Sequence, residues 1–454
     1  MSLSLPEREA ALNASSMEER LGALRELFDT VARGSSDVLP PASREVNNHV
    51  HTTYSFSPYS PTAAAWHARK SGLAAVGSVD HDSIGAAGEL RHAAALLGMG
   101  STTGVEVRAD FRNTPFGEKP LNNPDGGGVA YVVIHAVPER SRERFAEFLQ
   151  PIRAARSDRS RRMTGRLNER LASAGCEPLD YDRDVLSLSE YESGGGITER
   201  HILYAVAGRV LETARGEPLV RWLDANLGVS VPESLTALIS EAGNPYLRYD
   251  LLGLFKRELL PEIYIYPGEQ ECVPVERVVA FALEAGAVPA YPYLGDVVAS
   301  PTGDKRPARF EDAILDELIP WVREIGFPAV TYMPPRNTRE QLDRVATLCR
   351  DNDLIEISGV DINSPRQSFN CPEVLEPENT HLIDSAWALV VHERVADVEA
   401  ELGLSVRSGE LARLSPLQRV QTLARAADGI EWRSEPDPGE IAERVRRACS
   451  ARSR

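Results

Sequence analysis

The stretch NNHVHTTYS, residues 47–55, places two of the chain's nine histidines one residue apart. In an extended strand positions i and i+2 point to the same face, so His49 and His51 would present two imidazoles side by side, with Val50 turned away. Neutral imidazole is the commonest transition-metal ligand among side chains. An isolated pair can also be two solvated or capping histidines near a turn, so the rest of the chain has to decide.

Further polar residues recur at the ends of apolar runs. Asp80-His81-Asp82 closes LAAVGSVDHDS, Glu106 closes TTGVEVRADF and His135 ends GVAYVVIHAVP. Tyr291 and Tyr293 end AVPAYPYLGD, and Asp361 and Asn363 follow LIEISGVDINSPRQSF. Histidines and carboxylates at several strand ends are expected to meet around one barrel mouth, where such folds keep their chemistry. A mixed histidine and carboxylate set suits zinc, manganese or iron rather than calcium. His67, His92, His381 and His392 fall elsewhere and read as surface or satisfied core histidines.

The elements that would position these residues are short apolar runs alternating with helical stretches. Strands are expected over 45–50, 73–79, 101–107, 129–134, 262–266, 287–290, 329–332 and 354–357. Helices are expected over 61–71, 83–97, 274–285, 309–325 and 338–351. This alternation implies βα units with parallel pairing, and seven or eight units suggest a closed barrel. The stretch 138–260 breaks the pattern: it is helical and rich in arginine and reads as a cap, with Gly194-Gly195-Gly196 as a mobile hinge or loop. Leu12, Leu21, Leu24 and Leu27 recur at helical spacing near the start, and the last 60 residues read as short polar helices. The division expected is 1–43 an N-terminal helical extension, 44–137 the first part of the barrel, 138–260 the helical insertion, 261–393 the second part of the barrel and 394–454 a C-terminal helical extension.

The bulk numbers narrow the setting. At 454 residues the chain is too long for one ordinary core. A net charge of −17 argues against long duplex nucleic acid as a partner. The five cysteines are scattered and form no CxxC, which argues against a disulfide framework. No apolar run approaches a membrane span and the first residues lack the pattern of a secretory signal, so a cytoplasmic location is expected. The sequence is silent on oligomeric state.

The motif order resembles the PHP domain, of the polymerase and histidinol phosphatase superfamily. HxHTxxS, a helix, a strand ending in VDHDS, GVE, a histidine after a strand and a late Asp-x-Asn follow it over 45–140, and more loosely over 280–365. The resemblance implies an α/β fold: a distorted PHP-type barrel of seven strands with an inserted helical subdomain and terminal helical extensions. It implies divalent metal ions and makes His49, His51, Glu106 and Asp361 the ligands of a first metal. Glu106 would bridge to a second, and His81 would serve a third. His201, in ITERHILYAVA, resembles a histidine of some long members, or is a helix histidine packed on Tyr204. The chain departs from the family at Phe56, where many members have an acid, at Tyr291-Pro292 in place of His-Pro, and at Asn363 in place of histidine. The mid-chain ligand falls on His135 or, four residues earlier, on Tyr131. One full metal site, a second that draws on His135 and a Tyr291 phenolate, and no normal third are therefore expected.

The function these readings imply is a metal-dependent phosphoesterase that hydrolyses a small phosphorylated or short nucleotide substrate through a metal-activated water. Arg200, Arg336 and Arg366 are candidates to hold the phosphoryl group, and Tyr291 and Tyr293 to stack on a base or sugar. Asp80 or Asp82 would orient His81 or move a proton. The alternatives are hydrolysis of non-phosphate esters or amides, and a binding or regulatory module with a degenerate metal site.

Overall fold

Seven of the eight expected strands form. The computed structural model describes residues 4–33, 39–123, 127–214, 218–296, 310–406 and 408–452. The strands are β1 Val46–Val50, β2 Ala75–His81, β3 Gly100–Asp110, β4 Val129–His135, β5 Val273–Pro274, β6 Val288–Pro292, β7 Ala329–Tyr332 and β8 Ile355–Ser358. They build a curled sheet in the order β1-β2-β3-β4-β6-β7-β8, with the two-residue β5 paired to the end of β3. The expected strand 262–266 is absent: Leu260–Ile263 is a helical turn capped at Tyr264. Residue 309, where one expected helix would begin, lies outside the described residues; the helix there runs Leu315–Glu324.

Strand direction corrects one expectation. β4 runs antiparallel to both β3 and β6, while the other neighbours along the curled sheet are parallel. Residues 111–128 join the two strands, and a parallel pair would have needed a crossover there. His135, the last residue of β4, stands two residues after Val133, the partner of Glu106, and so shares the face of Glu106.

The sheet closes onto its first strand without a full ladder. Val50 bridges Ile362, His51 N donates to Ile362 O at 2.9 Å, and Ile362 N donates to His49 O at 3.1 Å. Asn47 stitches the same seam, accepting from Val360 N at 2.9 Å and donating to Val360 O at 3.1 Å. Between Asn47 and Val50 the pairing with β2 slips, three steps on β1 against two on β2. A bulge of this kind re-aims side chains, and His49 lies within it.

Helices cover the outer face. Leu12, Leu21, Leu24 and Leu27 are all buried, in a cluster that joins the helix Met17–Arg33 to Pro61–Lys70 and Ala87–Leu96. The helical stretch between β4 and β5 carries its own apolar cluster, including Met163, Leu167, Ile202 and Phe255, and Phe56 joins it from the β1 side. The C-terminal helices are not simply polar. Pro416–Ala426 and Pro438–Arg452 bury Val420, Leu423, Ile441 and Val445 in the same core as the helix His381–Val398. Their polar residues occupy the other face, as amphipathic helices require.

Candidate metal centre

Pairing partners in a sheet share a face, so the register fixes which residues meet. His81 pairs with Glu106, Glu106 with Val133, and Val133 with Ala290. His81 and Glu106 therefore share one face, and Tyr291, adjacent to Ala290, faces the other way. The His49, His51 and Glu106 ligand atoms all lie within 4.8 Å of one another. His51 Nε2 is 3.1 Å from Asp361 Oδ1, and His81 Nδ1 is 3.1 Å from Glu106 Oε2. The His51 ring lies 5.2 Å from that of His49 and 4.8 Å from that of His81.

The buried nitrogens of this cluster lack hydrogen bonds. His49 Nε2, His51 Nε2 and His81 Nδ1 are buried without such a partner. Unsatisfied buried polar atoms are rare and call for an explanation. Donor atoms about 3 Å apart that do not hydrogen-bond one another are spaced as co-ligands of one ion. The residues present fit a divalent metal, with His49, His51, Glu106 and Asp361 as its holders and His81 alongside.

The electrostatics agree. Burial pushes the His49 imidazole down to about 4, against the pull of Asp361, so it is a neutral ligand at neutral pH. Burial drives His81 well below the usual histidine range, and His51, Arg156 and Arg108 lower it further. Burial raises Glu106 to about 7, helped by Asp361 and opposed by His51. Burial also raises Asp361, but His51, His49 and Arg200 outweigh it and hold the carboxylate well below its ordinary range.

The rest of the HTTYS stretch holds His51 in place. Asp80 accepts from Thr52 N at 2.7 Å, Thr52 Oγ1 at 2.7 Å and Ser55 Oγ at 2.7 Å. Ser55 thus donates to Asp80, leaving its oxygen to accept from His51 Nδ1 at 3.2 Å. That bond keeps the proton on Nδ1 and turns the Nε2 lone pair toward Asp361 and Glu106. Asp80 consequently orients His51, not His81, and both its oxygens are occupied. Ser55, Thr52 and Asn47 went unrecognised in the sequence; the signal was the hydroxyls at positions 52 and 55, just after His51.

Other expected residues fall outside the cluster. Tyr291 is fully buried and donates its hydroxyl to Glu311, and burial followed by Glu311 holds it well above the ordinary phenol range. It is neither a phenolate ligand nor a substrate contact. Tyr293 donates to Asp312 Oδ1 at 2.6 Å. His135 is not among these: it lies on the face of Glu106, its buried Nε2 has no hydrogen-bond partner, and burial followed by His49 lowers it to about 3. Tyr131, on the same face, has its ring 5.6 Å from that of His81 and its hydroxyl accepting from Arg108 Nε at 3.2 Å. His201 caps its own helix: its Nδ1 accepts from Thr198 N at 2.9 Å, and Phe56 packs edge-on against the ring.

The arginines divide. Arg200 bears on Asp361, beside the cluster. Arg366 is committed to Asp250, at 2.6 and 2.8 Å, and tethers the segment after β8 to the helix Leu247–Glu258. Arg336 N donates to Met333 O at 2.9 Å in the turn after β7. Unforeseen was a buried charge network flanking His81. Arg108, Arg156 and Arg159 interlock with Asp82, Glu199 and Glu271 through ion pairs of 2.6–3.1 Å. Asp82 adopts a left-handed φ of 55° to reach Arg156.

The expected glycine hinge is a close contact. Ser83 Oγ and Arg153 both donate to Gly194 O, and Gly196 N donates to Tyr54 O at 2.6 Å. A Cβ at Gly196 would lie 2.4 Å from His81 O, so only glycine lets this loop lie against the end of β2.

No protein-family model matches the chain, and no curated protein does. Solved structures that resemble it include the following two. One is described as a "putative metal-dependent phosphoesterase" from Bifidobacterium adolescentis, with a TM-score of 0.46 and 20% identity over 74% of this chain and 96% of that one. The other is an amidohydrolase from Chromobacterium violaceum with bound sulfate and no metal, with a TM-score of 0.46 and 16% identity over 72% of this chain and 90% of that one.

Proposed function

We propose that this protein is a metal-dependent hydrolase and that its substrate is a small phosphoester. The observation that carries the reading is the convergence of unpartnered His49 and His51 nitrogens with Glu106, beside Asp361. A divalent ion held there supplies Lewis acidity and makes hydroxide available near neutral pH. The chain's own residues do the rest. Ser55 and Asp80 fix the tautomer of His51. Arg200 places a fixed positive charge beside Asp361, suited to a phosphoryl oxygen. Tyr131 and the arginine network close one side of the mouth around His81 and limit access of water.

The phosphoester step rests on Arg200 and on charge. In a chain of net charge −17, an anionic substrate needs local positive centres, and the metal and Arg200 supply them. Zinc, manganese and iron all suit the donor set.

The test is elemental analysis of protein purified without chelator, beside Asp361→Ala, followed by a panel of phosphomonoesters, phosphodiesters and non-phosphate esters with zinc, manganese or iron added. One or two ions per chain, lost in the variant, with hydrolysis confined to phosphoesters, is the expected result. Hydrolysis of non-phosphate esters alone would move the substrate class to the amide and ester hydrolases. Metal-free protein after soaking in all three ions would reject the reading.

A further inference from the structure

A cavity borders Ser55, next to the metal cluster. It has a volume of about 210 Å³ and is walled by Thr53, Ser55, Phe56, His201, Tyr204 and Tyr249. Among the described residues, none of the metal cluster lines it, and neither does any aspartate, glutamate, lysine or arginine. Ser55 is the shared wall, since its hydroxyl reaches His51 Nδ1.

The lining is aromatic, with two idle polar atoms. The Phe56 ring lies 5.1 Å from His201, 5.6 Å from Tyr204 and 6.1 Å from Tyr249, and Tyr204 lies 4.9 Å from Tyr249. Rings set at steep angles offer both faces and edges to a flat guest. Because His201 Nδ1 accepts from Thr198 N, the neutral ring carries its proton on Nε2. That Nε2 is fully buried and has no hydrogen-bond partner, and Thr53 Oγ1 is likewise without one. Donors and hydroxyls left idle in an aromatic box are what a polar ring edge would satisfy.

We propose that this cavity binds an uncharged, planar nitrogen heterocycle of nucleobase size. The volume excludes a whole nucleotide, since sites for drug-sized ligands run to roughly 300–1,000 Å³. The absence of charge in the lining excludes a phosphate. The ring belongs either to a substrate whose phosphoryl group reaches the metal centre, in which case the proposal rests on the function proposed above, or to a separate ligand that acts on the centre through Ser55.

The experiment separates these cases and does not need turnover. Adenosine and uridine are titrated into metal-free, full-length protein and followed by ligand-observed NMR, with glycerol phosphate as a chargeable control lacking a ring. Binding of at least one nucleoside is expected, with none of the control. Tyr249→Leu, which removes a wall, and Leu188→Trp, which fills the space beside Leu188 where that residue also lines the cavity, should each weaken binding at least tenfold while melting as the parent does. Two variants guard against misfolding of either one. Failure of both nucleosides to bind the parent at millimolar concentration, or equal binding by both variants, would overturn the proposal. With metal restored, a nucleoside that competes with a nucleotide substrate identifies the cavity as a base subsite. One that binds without competing identifies a separate ligand.

Discussion

Ser55 has one hydroxyl and two neighbours that need it. Its proton goes to Asp80 and its oxygen receives His51 Nδ1. Ser55→Ala removes the bond that fixes the tautomer while leaving the backbone intact. Groups that orient a metal-bound histidine typically govern about 10- to 100-fold in metal affinity. We therefore expect a loss of that size in a competition titration with a chelating dye, with little change in melting temperature; unchanged affinity would show that His51 is held by packing alone. Gly359 makes the complementary case. An added Cβ would lie 2.6 Å from His49 Cβ and 2.8 Å from His49 N, a backbone atom that cannot swing aside. Gly359→Ala should cost about 1–3 kcal/mol in urea unfolding, the range for overpacking, and should lower metal stoichiometry because His49 moves. A variant as stable as the parent, with full metal content, would refute the contact.

Elements explain what was legible in the sequence and what was not. His49, His51, His81, Glu106 and Asp361 could be placed together because each stands at or near the end of an apolar run, and alternation does not depend on which strand is the neighbour. Strand direction is a property of the connection, and nothing in VAYVVIH distinguishes β4 as the reversed strand. This is why the sequence left the mid-chain position open between His135 and Tyr131. The arginines of the long helix Arg142–Ser173 were legible only as part of an arginine-rich cap because their partners Asp82, Glu199 and Glu271 are distant in sequence. His392, expected to be a surface or a satisfied core histidine, proves to be the latter and holds an element in place. It accepts from Leu404 N through Nδ1 and donates to Gly286 O through Nε2, joining the helix His381–Val398 to the chain on either side. Burial lowers it from 6.5 to about 4, opposed by Gly286 O. The unfolded chain then binds a proton that the folded chain refuses. The contribution is complete above pH 6.5 and is lost as the pH falls toward 4, by up to about 3 kcal/mol. His392→Gln, with no titrating group, should lose less stability than the parent between pH 7 and pH 4.5 in parallel urea titrations. Parallel curves would mean that His392 does not drive the acid sensitivity.

At the scale of the whole molecule, the buried charge network decides whether the helical insertion and the sheet behave as one body. Arg108 belongs to β3 and Asp82 follows β2, while Arg156, Arg159, Glu199 and Glu271 lie in and after the insertion. Three guanidinium groups face three carboxylates, so the cluster is neutral as a set, and Glu199 touches all three arginines. Burial opposes ionisation of Glu199, but Arg108, Arg156 and Arg159 hold it well below the usual carboxylate range. Removing that one charge leaves three buried cations against two anions. Breaking a buried pair from one side costs about 3–5 kcal/mol, whereas replacing members by well-packed apolar groups can be nearly neutral. Glu199→Gln should therefore destabilise the protein by about that amount. Because the lost contacts bridge the two parts, the variant should unfold in two steps, separated when tyrosine fluorescence is compared with backbone circular dichroism. Pairing the change with Arg108→Met restores the balance of two cations against two anions, and should recover part of the loss. A single unshifted transition in Glu199→Gln would show that the apolar cluster around Phe56, and not the charge network, joins the insertion to the sheet.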